Sequence, residues 1–114
     1  MMPGGRSLDH ARWSAVAVAV SATLVVAAHA AEIKVVQKDR AFSVKQVTVR
    51  VGDSVTFVNA DAVNHNVFSE AAGAQFDLVQ PPGSTQTVKL IQPGRVEVQC
   101  AIHRAMRLEI LVTP

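Results

Sequence analysis

Beyond residue 30 the chain reads as short apolar runs in which every second residue is polar. Val96, Val98 and Cys100 interleave with Arg95, Glu97 and Gln99, while Met106, Leu108, Ile110 and Val112 share one parity against Arg107 and Glu109. A period of two belongs to a strand that buries one face, because successive side chains point to opposite sides of a sheet. Segments rich in Val, Thr, Ile and Phe predict strands at Ile33 to Gln37, Val44 to Arg50, Ser54 to Asn59, Asn66 to Ser69, Thr85 to Leu90, Arg95 to Gln99 and Met106 to Val112. Gly52-Asp53, Pro81-Pro82-Gly83 and Gln92-Pro93-Gly94 separate them as tight turns. Many short strands without a convincing helix predict an all-β antiparallel sandwich of about seven or eight strands. The stretch from Ala60 to Ala74 carries no clear period.

The first thirty residues follow a different pattern. Arg6 and Arg12 precede a small, apolar stretch from Ala15 to Ala28 broken only by Ser21 and Thr23, and Ala28-His29-Ala30 has the form of a signal-peptidase site. Residues 1–30 are therefore expected to be a signal peptide cleaved near Ala30, leaving residues 31–114 as one domain in the periplasm. The apolar run is shorter than the roughly 20 residues of a spanning helix, so no stable membrane insertion is expected after cleavage. A domain of this size buries roughly two thirds of its unfolded surface and folds without staples. The chain has 11 Lys and Arg against 9 Asp and Glu; without Arg6, Arg12 and Asp9, nine face eight. That near-neutral balance gives no case for nucleic-acid binding.

Candidate chemistry is concentrated in four side chains. The expected mature domain holds one cysteine, two histidines and one methionine, at Cys100, His65, His103 and Met106. One thiolate, two imidazoles and a weak thioether are the ligand set of a blue-copper electron-transfer centre. Strand parity turns Cys100 and Met106 inward, and the five residues from Ala101 to Ala105 must fold back for His103 to join them, since an extended Cys-to-His span covers about 10 Å. His65 arrives from a separate loop, in Asn64-His65-Asn66. The Asn66 backbone N–H is placed to donate to the sulfur while its side chain ties the two ligand loops together. An exported, unpaired thiol also needs an occupant in an oxidising compartment, and a metal supplies one. Zinc in such a site would be structural only.

The segments Val51-Gly52-Asp53-Ser54-Val55-Thr56-Phe57-Val58-Asn59, His65-Asn66-Val67 and Cys100-x-x-His103-x-x-Met106 resemble the cupredoxins, the blue-copper family, over essentially the whole mature domain. The short ligand loop looks most like that of the amicyanin branch; plastocyanins have a longer gap before the Met. The resemblance implies a Greek-key β-sandwich, one copper ion cycling between Cu(II) and Cu(I), equatorial ligands His65, Cys100 and His103, and axial Met106. It further implies a monomeric one-electron carrier, not an enzyme, exchanging electrons with redox proteins such as a dehydrogenase or a c-type cytochrome. His103 would be the electron port, inside an apolar rim of Ala62, Val63, Ala101, Ile102 and Ala105. Arg104 stands where Pro is frequent in the family, and with Arg107 it would add positive charge and favour a partner with an acidic patch. The alternative is a copper carrier or storage protein, which would need exposed, exchangeable ligands.

Overall fold

The computed structural model describes residues 2–5, 14–24 and 29–114. Arg6, Arg12 and the end of the apolar stretch, on which much of the signal-peptide expectation rests, lie outside the described residues. Among the described residues no helix is long and apolar enough to cross a membrane.

Among the described residues nine strands form two sheets packed face to face. They are β1 (Glu32–Lys38), β2 (Ala41–Phe42), β3 (Gln46–Arg50), β4 (Ser54–Asn59), β5 (His65–Ser69), β6 (Phe76–Gln80), β7 (Thr85–Lys89), β8 (Gly94–Gln99) and β9 (Arg107–Thr113). One sheet has the order β2-β1-β4-β7 and the other β3-β9-β8-β5-β6. The sandwich is as expected, but both sheets are mixed, because β1 pairs with β4 and β3 with β9 in parallel. Two strands lacked a sequence signal. β2 is only two residues long. In β6 an exposed Val79 (67%) occupies the outward slot and a buried Gln80 the inward one, which inverts the usual polarity pattern.

The inward parity of each strand supplies the core. Val35, Val55, Phe57, Val67, Val96, Val98, Leu108, Ile110 and Val112 form one buried cluster, and Phe57 packs between Phe42 and Phe76 at ring-centroid distances of 6.3 Å on each side. Offset, tilted aromatic contacts of this kind add to simple area burial. Two turns hold the edges in register. In Arg50-Val51-Gly52-Asp53 the Asp53 N–H donates to the Arg50 carbonyl at 3.0 Å, and Gly52 takes the positive φ (96°) that the third position of such a turn requires. Pro81-Pro82-Gly83-Ser84 repeats the device, with Pro pre-set at the second position and Gly83 at φ 80°.

Candidate metal centre

At one end of the sandwich, the β8–β9 loop and the start of β5 bring three ligating side chains together. Cys100 follows the last residue of β8, His65 opens β5, and His103 lies in the loop between β8 and β9. One ligand atom from each lies within 4.8 Å of the others. The two Nδ1 atoms of His65 and His103 are 3.1 Å apart, and each is 3.9 Å from Cys100 Sγ. An ion about 2.0 Å from each nitrogen and about 2.3 Å from the sulfur fits in the plane of such a triangle, so the donor set matches a trigonal thiolate-imidazole metal site in size as well as type.

The expected fold-back of the loop is present. The Met106 N–H donates to the His103 carbonyl at 3.0 Å, closing the turn from His103 to Met106. Both inward placements hold, with Cys100 at 2% exposure and Met106 at 1%. His65 is fully buried, whereas His103 is half-buried and is the imidazole nearest solvent. In the segments before His65 and around His103 in the chain, Ala62, Ala101, Ile102 and Ala105 are exposed, with Ile102 at 58%, and Val63 is half-buried.

Asn66 ties the two ligand segments together. Its backbone N–H approaches Cys100 Sγ at 3.5 Å, its Oδ1 accepts from the Ala101 N–H at 2.6 Å, and its Nδ2 donates to Asp77 Oδ1 at 3.0 Å. The positive charge beside the rim is smaller than two arginines suggest. Arg107 pairs with Glu97 at 2.7 Å, while Arg104 has no ion-pair partner among the described residues.

Two residues missed by sequence reasoning shape the His65 side. Asn59, fully buried at the end of β4, donates through Nδ2 to the Val63 and Gln80 carbonyls (2.9 and 2.8 Å) and accepts the Asp61 N–H at 2.9 Å. One side chain thus sets the loop from 60 to 64 that delivers His65. Asp61 Oδ2 then meets His65 Nε2 at 2.6 Å. Backbone donation from Arg40, followed by the His65 ring, lowers the Asp61 pKa to about 2. The only sequence signal was the short polar side chains of Asn59 and Asp61, which favour local turns and caps.

A two-sheet sandwich with a Cys-His-His cluster at one end defines the class of small β-proteins whose fold cages a single soft metal ion. The match extends to a named family: the cupredoxin-like domain covers residues 11–112, and the chain belongs to that family. It is 36% identical over 62 residues to the methylamine utilization protein MauL of Methylorubrum extorquens, an alignment covering 53% of this chain and 54% of that protein. To amicyanin-alpha of the same organism it is 29% identical, with 82% and 81% of the two chains covered. To the chloroplastic plastocyanin of Physcomitrium patens it is 33% identical over 82% of this chain and 62% of that one. The chain thus spans about half the length of the first of these relatives. Among solved structures, the Cu(I) form of an amicyanin variant superposes with a TM-score of 0.66 at 26% identity, covering 75% of this chain and 84% of the other. A copper-containing nitrite reductase from Thermus scotoductus shares the fold with a TM-score of 0.67 at 23% identity, covering 73% of this chain but only 22% of that enzyme.

Proposed function

We propose that this protein is a periplasmic one-electron carrier whose single copper ion is held by His65, Cys100, His103 and Met106. The observation that carries the reading is the triangle of one sulfur and two Nδ1 atoms, sized for one ion and closed to water on the Cys100 side. Copper, when bound, supplies the Cu(II)/Cu(I) couple. The chain's own contribution is to hold the donors still: His65 sits on a strand, Cys100 at the end of another, and Asn66 bridges between them. A rigid cage keeps rearrangement between oxidation states small, which favours fast electron exchange. The names of the relatives, an amicyanin, a plastocyanin and a methylamine utilization protein, agree with a carrier.

His103 is the exit, because its ring is the ligand nearest solvent and the exposed apolar residues Ala101, Ile102 and Ala105 share its loop. Its apolar rim allows brief, reversible docking, and Arg104 biases the encounter toward a partner carrying acidic groups there. A dehydrogenase as donor and a c-type cytochrome as acceptor fit such a surface. We take residues 1–30 to be a signal peptide that directs export, residues 31–114 to be the carrier domain, and the carrier to be a monomer. Burial of Cys100 and Met106 argues against the carrier-or-storage alternative, since soft ligands that hand copper on must be reachable.

The test is visible spectroscopy of the purified protein titrated with Cu(II). An intense blue band saturating at one equivalent is expected, and Cys100→Ser should abolish it while the sandwich stays folded by circular dichroism. A Cys100→Ser protein that remained blue would refute the ligand assignment.

A further inference from the structure

The imidazole of His65 is held from behind by a carboxylate, and that carboxylate is itself held. Asp61 Oδ1 accepts the Asp39 N–H at 2.6 Å, and Asp61 Oδ2 accepts the Arg40 N–H at 3.0 Å besides facing His65 Nε2 at 2.6 Å. Asp39 and Arg40 form the two-residue turn between β1 and β2, where Lys38 pairs with Ala41. Both have positive φ, 51° and 55°, though neither is Gly. Two-residue hairpins of this kind require φ > 0 at both central positions and usually place Asn or Gly there. A left-handed conformation is strained for any non-Gly residue, so something must offset it. Here the two N–H groups that the turn points outward converge on one anionic side chain. The Asp61 backbone N–H is pinned in turn by Asn59 Oδ1 at 2.9 Å.

The consequence reaches across the sandwich. The β1–β2 hairpin belongs to the four-stranded sheet and His65 to the five-stranded one, so Asp61 is the bridge by which one sheet orients a ligand carried by the other. With Nε2 committed to the carboxylate, the proton of a neutral His65 ring resides on Nε2, and the Nδ1 lone pair is left facing Cys100 and His103. Ligating histidines commonly donate their second N–H to a carboxylate or carbonyl, which fixes ring orientation and raises ligand basicity.

We propose that Asp61 is a positioning residue for the metal centre: it fixes the His65 tautomer and ring plane, and its negative charge favours the oxidised over the reduced metal. This inference rests on the copper reading above for its redox half only. A full negative charge at hydrogen-bond distance from the ligand ring stabilises a doubly charged ion more than a singly charged one, so removing it shifts the Cu(II)/Cu(I) equilibrium toward Cu(I). Asp61→Asn keeps an oxygen acceptor and nearly the same volume but loses the charge.

Two measurements decide the matter. In the metal-free protein, nitrogen-15 NMR of the unaltered chain should show His65 with its proton on Nε2; a proton on Nδ1 would overturn the positioning role, with or without copper. In the copper-loaded protein, voltammetry of Asp61→Asn should show a site that is still blue and a raised potential, with a tenfold shift in the one-electron equilibrium corresponding to 59 mV. A blue Asp61→Asn protein whose equilibrium moves less than twofold, or moves toward Cu(II), would overturn the electrostatic role, because a residue that merely stapled the hairpin would change melting and not potential. Should Asp61→Asn fail to fold, the NMR result on the unaltered protein decides. An unaltered protein that never turns blue with Cu(II) would count against the copper reading and leave the tautomer measurement standing.

Discussion

Replacing Asn66 by Ala tests how far the ligand loops depend on one another. The side chain makes two hydrogen bonds, accepting the Ala101 N–H at 2.6 Å and donating to Asp77 at 3.0 Å, both at exposed positions. A net contribution of about 0.5–1.5 kcal/mol is typical of one hydrogen bond, and water can replace these partners, so the pair together should be worth about 1 kcal/mol. For a domain of this size that lowers the melting temperature by about 4–8 °C. The backbone N–H of residue 66 survives the substitution and still approaches Cys100 Sγ, so the environment of the sulfur should change little. Thermal melts of the metal-free protein by circular dichroism, paired with voltammetry of the copper-loaded one, separate the two effects. The expected result is a lower melting temperature with a nearly unchanged potential. An unchanged melting temperature would refute the side-chain bridge, and a potential shifted by more than about 59 mV, a tenfold change in equilibrium, would refute the separation of side-chain and backbone roles.

Met106→Gln should retain copper but lower the potential, since a harder oxygen donor favours Cu(II); a potential that is unchanged or raised counts against Met106 as the axial ligand. Leu108→Ala, at a side chain 1% exposed in the central cluster, should cost about 2–5 kcal/mol in denaturant unfolding, and a loss below 1 kcal/mol would mean that the core near the ligand loop is not close-packed. Asp53 accepts the N–H groups of Arg50 and Ala31, in that order of influence, and both lower its pKa from the ordinary carboxylate value. A folded pKa below the unfolded value of about 3.9 stabilises the fold above that pH, and the contribution is lost as the pH falls through the folded pKa. Asp53→Asn should therefore flatten the acid limb of a melting-temperature profile between pH 2 and 5, and an acid limb identical to that of the unaltered protein would show that the carboxylate does not couple to folding.

Parity along β8 and β9 was enough to assign the inward faces of Cys100 and Met106, because a strand's side-chain period is set by the backbone alone. The ligand types were legible for the same local reason: few side chains can serve a soft metal, and the domain after residue 30 contains only these four. The double role of Asn66 was legible too, since it neighbours a ligand in sequence. Pairing partners were not. β1 and β3 join β4 and β9 in parallel, which an alternating pattern cannot distinguish from antiparallel pairing, and β6 hides an inward Gln80 behind an exposed Val79. Asn59 and Asp61 were equally silent, since in sequence they are two ordinary turn residues. Their meaning depends on which carbonyls, N–H groups and ring nitrogen surround them, and those come from the β1–β2 turn, the loop before β5, β5 itself and β6, up to 22 positions away in the chain. Sequence by itself thus determined which atoms can bind a metal and which face of each strand carries them. Only the tertiary structure decided how close His65 comes to Cys100 and His103, 35 and 38 positions away, and only the β1–β2 turn, 22 positions from Asp61, holds that carboxylate behind His65, because no local periodicity encodes such long-range contacts.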